Sequence, residues 1–568
     1  MNIKKLLRTL VLLPIVTMIS SCESNTPSPE NQRKFHDQDE TITMRDVIKK
    51  GEKQGYPAPS VGDTRVFVVP VEFTDYPAEE LGKYYNSETK NSKAYRHDDS
   101  TATGRGADNA LEDIRKVFFG EPEETMWHSL SSYYKSTSYG KLNFNGIVAP
   151  WFQAYTNAFT MKPVSAKEFG QTSTAAQLAQ NILSYYSDDD MAKYAIFKDE
   201  NGNQMFKSGA EFLQYFDSDK DGCFDVIEMV YSAPYYATYK NEKGEDVAID
   251  NEIFWAYCGG TTTEGDVKKP RLSKWNFQSY YTCFEGGVFD EGKWRPWTCE
   301  EISSGVAKVD GHTIIHETGH ALGLTDYYNY DYDNKVNPIA SVDMMAYNVG
   351  DHNSYSKSLL GWTDPVVVTG PTTVTVNSFT RTGDCIMVPY RGYFKDNDKG
   401  NTFFTEYLAI EYYTPEGVNT LDSQQAYAGS YPICPTEPGI KVYHIDSRLG
   451  IYDYSSSATG ESSSGKFLGY TNTILNTSSS QIVKTGNENT GSRTVKKDDG
   501  TYNWLIEYIS QTGKTVLQVK NDNMFHEGDS FGYDTYKDYK FNSGNKFGFK
   551  FTIDSITDDS ATLTFLYA

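Results

Sequence analysis

The pattern of the chain changes at "LLGW", Leu359 to Trp362, and that change limits the fold more than any other feature. Before it, apolar runs alternate with segments of helical spacing. "TRVFVVPVEFTD" from Thr64 to Asp75 suits a buried strand, and "KLNFNGIVAPWF", "DVIEMVYSAP" and "EIFWAYCGG" suit three more. "ALEDIRKVFFG", "MWHSLSSYYKSTSYG" and "TAAQLAQNILSYY" carry apolar residues at helical spacing, the second stopping at Gly140. "DENGNQ" and "NEKGED" are hairpin turns. This order predicts an α/β (α+β) layout around a mixed sheet. After Trp362, "PVVVTGPTTVTVNSF", "TEYLAIEYY", "GIKVYHID", "NWLIEYI", "KTVLQVK" and "ATLTFLYA" are short alternating segments joined by Gly, Asn and Ser loops. They predict a C-terminal β-sandwich region with a loose Ser/Gly-rich stretch around Ser455 to Gly465. The expected organisation is one domain over 61–365, a β-rich domain over 366–470 packed on it, and a β-sandwich module over 471–568.

The N-terminus reads as an export signal. Lys4, Lys5 and Arg8 precede "LVLLPIVTMI", which is too short and proline-broken to span a membrane. "ISSC" then ends at Cys22 and resembles a bacterial lipobox, which implies that the Cys22 thiol is acylated and becomes the mature N-terminus. The plainer alternative is a signal peptide cleaved nearby. Residues 23–60 are polar and proline-containing and read as a tether or short pro-region. The expected location is the bacterial cell envelope, at the outer membrane or cell surface, or the secreted fraction, and the chain is read as a monomer. A net charge of −23 repels phosphate backbones and argues against a nucleic-acid partner.

Chemistry concentrates in "HETGHALGLTD", His316 to Asp326. Residues four apart share one face of a helix, so His316 and His320 can hold one ion together. Asp310 is placed to cap that helix, and Gly323 lets the chain leave it sharply. The turn returns Asp326 as a third ligand. Two imidazoles and a carboxylate suit zinc, and three protein ligands leave one position open, where zinc lowers the pKa of water to about 7. Glu317, beside the first ligand, is the candidate general base. Downstream, "SVDMMAYN" supplies Met345 as an apolar floor and Tyr347 as a group to steady the tetrahedral intermediate. A packed Met pair and core Tyr are the plain alternative.

With these motifs in hand, the chain resembles the secreted bacterial metallopeptidases of the immune inhibitor A type, within the metzincin-like zinc proteases. "VFVVPVEFTD", "SLSSYYKSTSYGKLNFNG", "HETGHALGLTD", "DMMAYN", "SYSKSLLGW" and "EYLAIEYY…GIKVYHIDSR" carry the resemblance, which runs from about residue 64 to 448. It implies a zinc endopeptidase domain, Asp326 as the third zinc ligand, Met345 in a Met-turn, and protein or peptide substrates. Two features depart from the family. No long inhibitory prodomain is recognisable, and "IFWAYCGG" lacks a histidine often found there. The rival readings are a surface-binding protein with a vestigial peptidase domain, disfavoured by the intact Glu317, and a zinc hydrolase of another class such as an amidase.

"DSDKDGCFDVIE", Asp217 to Glu228, fits a twelve-residue calcium loop. Asp217, Asp219 and Asp221 occupy positions 1, 3 and 5, Gly222 position 6, the Cys223 carbonyl position 7, Asp225 position 9 and Glu228 position 12. Since "DVIEMVYSAP" reads as a strand, the loop is expected to act as a staple rather than a sensor; a solvated acidic turn is the alternative. His312 reads as a satisfied helix residue, His352 as a loop residue and His444 as structural. Asp331 and Asp333 form an acidic loop that offers a second calcium reading.

Overall fold

The computed structural model describes residues 24–35, 56–83, 103–156, 160–189, 194–234, 238–241, 243–244, 246–248, 254–261, 265–331, 336–396, 403–429, 431–455, 465–472, 481–490, 495–496 and 502–568. It is a mixed α/β structure with mixed sheets. Cys22 and Asp333 lie outside the described residues, as does most of the stretch from Ser455 to Gly465.

The N-terminal half is built on a sheet in the order Leu142–Val148, Gly62–Glu72, Cys223–Tyr231, Arg271–Ser279, Tyr257–Gly260. The first four strands run parallel, and Tyr257–Gly260 is an antiparallel edge. Parallel strands are covered on both faces, which is why Val66 to Val71 reads as an unbroken apolar run. On one face Phe67 meets the rings of Tyr186, Phe212 and Phe216 at 5.0, 5.1 and 5.1 Å. The other face carries the helix His312–Ala321, which packs on Tyr257–Gly260 and Arg271–Ser279. Lys198 and Gln204 bridge across "DENGNQ", and the strands on either side of "NEKGED", Thr238–Lys240 and Asp246–Ala248, pair antiparallel. The strand Arg271–Ser279 is not anticipated by apolar periodicity, although all of it but Arg271 is buried.

The C-terminal half holds a six-stranded sheet in the order Gln32–Lys34, Val366–Val368, Cys385–Pro389, Glu406–Tyr413, Gly439–Asp446, Ile506–Ile509. Its strands alternate with period two between two cores. Leu408, Ile410 and Val442 share one core with Val374, Phe551, Leu563 and Phe565 of a four-stranded sheet, Thr372–Asn377, Ser560–Tyr567, Phe549–Ile556 and Ser530–Phe531. Tyr407, Ala409 and Tyr443 point the other way, into the core of the N-terminal half. Both faces are therefore buried, and the β region is joined to the α/β half through a continuous core.

Three expectations change. Strands on either side of residue 470 pair with each other, Gly439–Asp446 with Ile506–Ile509 and Thr372–Asn377 with Ser560–Tyr567, so residues 366–470 and 471–568 interleave rather than form successive modules. "KTVLQVK" is not a strand; Leu517 is exposed and the segment crosses to Ala340, whose carbonyl accepts from the Val519 N–H at 2.9 Å. Finally, the described part of the expected tether is ordered: Gln32–Lys34 forms an edge strand antiparallel to Val366–Val368. Among the described residues no helix is long and apolar enough to cross a membrane.

Candidate metal centre

The helix His312–Ala321 has every residue buried except His320, which is half-buried. Gly311 holds the cap position, but the Asp310 carboxylate performs the task from one residue further back, accepting the His312 N–H at 3.0 Å. At the other end Gly323 adopts φ +100°, a left-handed conformation open to glycine, and Leu324 N–H returns to the Gly319 carbonyl at 3.0 Å. The chain then doubles back, and the buried Asp326 faces the helix it has just left.

Three atoms converge there. Asp326 Oδ1 lies 3.1 Å from His316 Nε2 and 3.3 Å from His320 Nε2. The far side of each ring is held by a carbonyl: His316 Nδ1–H donates to Met344 at 2.8 Å, and His320 Nδ1–H to Leu324 at 2.9 Å. A carbonyl only accepts, so in the neutral rings Nε2 carries the lone pair. Two lone pairs and a carboxylate oxygen directed at one point form a donor set for a cation, and this composition fits zinc. The three groups are also strongly coupled to one another electrostatically. Burial opposes charge on His320, yet Asp326 outweighs it and raises the imidazole to about 9. Burial also opposes charge on Asp326, and His320 and His316 together hold its carboxyl far below the ordinary range.

The surroundings fix these ligands. Tyr330 donates its hydroxyl to Asp326 Oδ2, a contact that sequence reading did not find because a tyrosine is inconspicuous among 43. Met345 is fully buried beneath the helix, and its carbonyl accepts the Tyr327 N–H at 2.9 Å, tying the segment after Asp326 to the same floor. Asp343 caps the short helix Met344–Tyr347 through the Met345 N–H at 2.8 Å. Glu317 is buried; burial raises its carboxyl above the usual range, against the pull of His316 and His320, and the Cys258 N–H of the edge strand donates to it. Tyr347 is 39% exposed, and its ring lies 6.4 Å from Tyr328 and 6.3 Å from Tyr431.

The acidic loop gathers part of its expected set. Asp217, Asp219 and Asp225 each offer an oxygen within 4.8 Å of the others. The loop is folded by its own carboxylates: Asp217 accepts from the Asp221 and Gly222 N–H groups, both at 3.0 Å, and Asp225 accepts from Ser218 N–H at 3.1 Å. Burial raises Asp217 to about 6, with the Gly222 N–H opposing it. Asp221 is turned to the Cys223 N–H at 2.9 Å and falls outside the group, and Cys223 begins the strand. Glu228 is a correction. It lies three residues beyond Asp225 in a strand, and a period of two sends the two side chains to opposite faces. Its oxygens instead accept from Asn276 at 2.7 Å, Gln278 at 3.0 Å and Thr318 of the histidine helix at 3.1 Å.

His312, His352 and His444 are structural. His312 is stacked between Trp127 at 3.8 Å and Tyr427 at 4.1 Å, and is paired with Asp310 and Asp422 at 2.8 and 3.2 Å. His352 is buried among Tyr133, Tyr134 and Trp362, and neither ring nitrogen has a hydrogen-bond partner. His444 lies 3.3 Å from Glu406. Asp331 is exposed.

No protein-family model matches the chain, and no curated protein matches it.

Proposed function

We propose that the chain is an exported, lipid-anchored zinc endopeptidase that hydrolyses peptide bonds of extracellular proteins. The observation that carries this reading is the convergence of His316 Nε2, His320 Nε2 and Asp326 Oδ1, with Glu317 on the same helix. Zinc held by these three residues would polarise a carbonyl and make water acidic enough to attack near neutral pH. Glu317 takes the proton from the attacking water and delivers it to the leaving amine; its buried, raised carboxyl brings its basicity closer to that task. Tyr347 donates to the carbonyl oxygen as negative charge develops on it. Tyr330 and the carbonyls of Met344 and Leu324 keep the three ligands in their orientations. The finer fold reading belongs with this function: a metzincin-like peptidase domain with Met345 as its Met-turn, followed by a β-sandwich. Calcium bound by Asp217, Asp219 and Asp225 would neutralise three clustered carboxylates and staple the loop to the strand Cys223–Tyr231.

Casein digestion with and without a zinc chelator, beside the variant Glu317→Ala, tests the reading. Activity lost to the chelator, restored by zinc and reduced at least about 10²-fold in Glu317→Ala supports it. Chelator-resistant digestion, or a Glu317→Ala variant within a few-fold of the wild type, overturns it.

A further inference from the structure

The segment that follows Cys22 is seated on the opposite end of the chain. Asn25 Nδ2 donates to the Tyr567 carbonyl at 3.3 Å, and the Tyr567 N–H donates to Asn25 Oδ1 at 2.6 Å. Further contacts follow along the segment. Ser28 N–H and Asn31 Nδ2 both donate to the Pro371 carbonyl, at 2.9 and 2.8 Å, and the Thr369 N–H donates to the Asn31 carbonyl at 2.9 Å. Gln32, Arg33 and Lys34 pair with Val368, Val367 and Val366. Phe35 then closes the segment, fully buried with its ring 6.0 Å from Phe403. A polar leader expected to swing freely is instead bonded at intervals to the β region.

This limits where an acyl chain on Cys22 can go. Three residue steps separate Cys22 from Asn25, a reach of at most about 11 Å. The surroundings of that point carry an excess of cations in a chain of net charge −23: the Arg391 guanidinium lies 3.9 Å from the Tyr567 ring, Lys550 stands opposite Leu566 in the sheet register, and Asp538, which lines the same recess as Arg391 and Ala568, is paired with Lys546 at 3.4 Å. The other end of the strand Ser560–Tyr567 lies roughly 24 Å away along an extended strand, and the turn there carries Asp558 and the exposed Asp559, with the cation Arg381 shared between Asp559 at 2.9 Å and Glu416 at 3.0 Å, so that acids are in excess. Anionic lipid headgroups attract the first end and repel the second.

We propose that the end of the β region formed by Asn25, Tyr567 and Ala568, with Arg391 and Lys550 beside it, is the bilayer-facing surface of the protein. The inference rests on the lipid-anchor reading of Cys22. The β region is then a rigid mount that sets the orientation of the peptidase half above the membrane, in place of a flexible leash.

The test uses the full-length acylated protein in vesicles of phosphatidylethanolamine and phosphatidylglycerol containing a headgroup-spin-labelled lipid. A fluorophore is attached at Ala568→Cys in one sample and Asp559→Cys in another. Quenching several-fold stronger at 568 than at 559 is expected. A twelve-residue Gly-Ser insertion between Cys22 and Asn25 should leave vesicle binding unchanged while quenching at 568 falls to the 559 level. Equal quenching at the two positions, or no response to the insertion, overturns the orientation while leaving the anchor intact. A protein that carries no acyl mass and does not bind vesicles overturns the anchor reading itself, and with it the proposal.

Discussion

Met345 lies directly against Gly319: a methyl group on Gly319 would stand 2.5 Å from the Met345 sulfur and 3.4 Å from the Tyr134 hydroxyl. The glycine inside "HETGH" is therefore the recess into which the floor of the site fits. Gly319→Ala should cost about 1–3 kcal/mol through overpacking and lower zinc affinity, because His316 is tied to Met344 next door. Met345→Ala in the same chain should recover part of the loss. Additive effects of the two substitutions, measured by denaturant unfolding, would show that the contact is not shared.

Glu228 joins the sheet to the histidine helix through Thr318, and burial raises its carboxyl to about 8. A carboxyl raised in the folded state contributes stability that is fully present below its unfolded pKa and is lost as pH rises through the folded value. Between about pH 4.5 and 8 the wild type should therefore lose stability from this group. Glu228→Gln should flatten that decline and keep zinc and activity, whereas Glu228→Ala leaves Asn276, Gln278 and Thr318 without their acceptor and should destabilise by about 1–3 kcal/mol. An unchanged pH slope in Glu228→Gln would contradict the assignment.

Calcium should act on stability through Asp217, Asp219 and Asp225. At a hundredfold excess over Kd, a ligand bound only by the folded state adds about 3 kcal/mol. Asp219→Ala should abolish the calcium dependence of Tm, and Glu228→Gln should preserve it. A wild-type melting curve indifferent to calcium would remove the staple.

His352 should limit stability in acid. Burial holds its imidazole well below the ordinary value, with Lys357 and His316 adding to the effect. A depressed pKa means stability that is present above about pH 6.5 and lost as pH falls. With neither ring nitrogen paired, His352→Phe keeps the aromatic packing and removes the acid-sensitive group. Its melting temperature should exceed that of the wild type at pH 5 by several degrees and fall less on acidification. Parallel acid limbs for the two proteins would refute this.

How far the sequence could be read follows from which side chains face which neighbour. "HETGHALGLTD" was legible because helix spacing, a glycine turn and a returning carboxylate are local rules, and the structure brings His316, His320 and Asp326 together. The strand "RLSKWNFQS" was not, because Asn276 and Gln278 stand where a buried strand ordinarily shows apolar residues, and their reason for being there is Glu228, far away in sequence. The same partnership defeated the twelve-residue loop spacing at its last position. Asn25 and Phe35 read as a polar tether because a three-residue edge strand has too few positions to show a period, and its partner strand begins at Val366. The interleaving of strands across residue 470 is a matter of long-range pairing, on which alternation along a single strand is silent.

Zinc bound per purified chain, measured by atomic emission for the wild type, Glu317→Ala, Asp326→His and Asp326→Ala, tests the central claim most directly. The wild type and Glu317→Ala should both hold about one zinc, since the role proposed for Glu317 is that of a base and the three converging ligand atoms belong to His316, His320 and Asp326. Asp326→His should retain it with altered activity, and Asp326→Ala should lose it. Full zinc occupancy with full proteolysis in Asp326→Ala would contradict the account, because the atom on which His316 and His320 converge would then have no part in holding the metal.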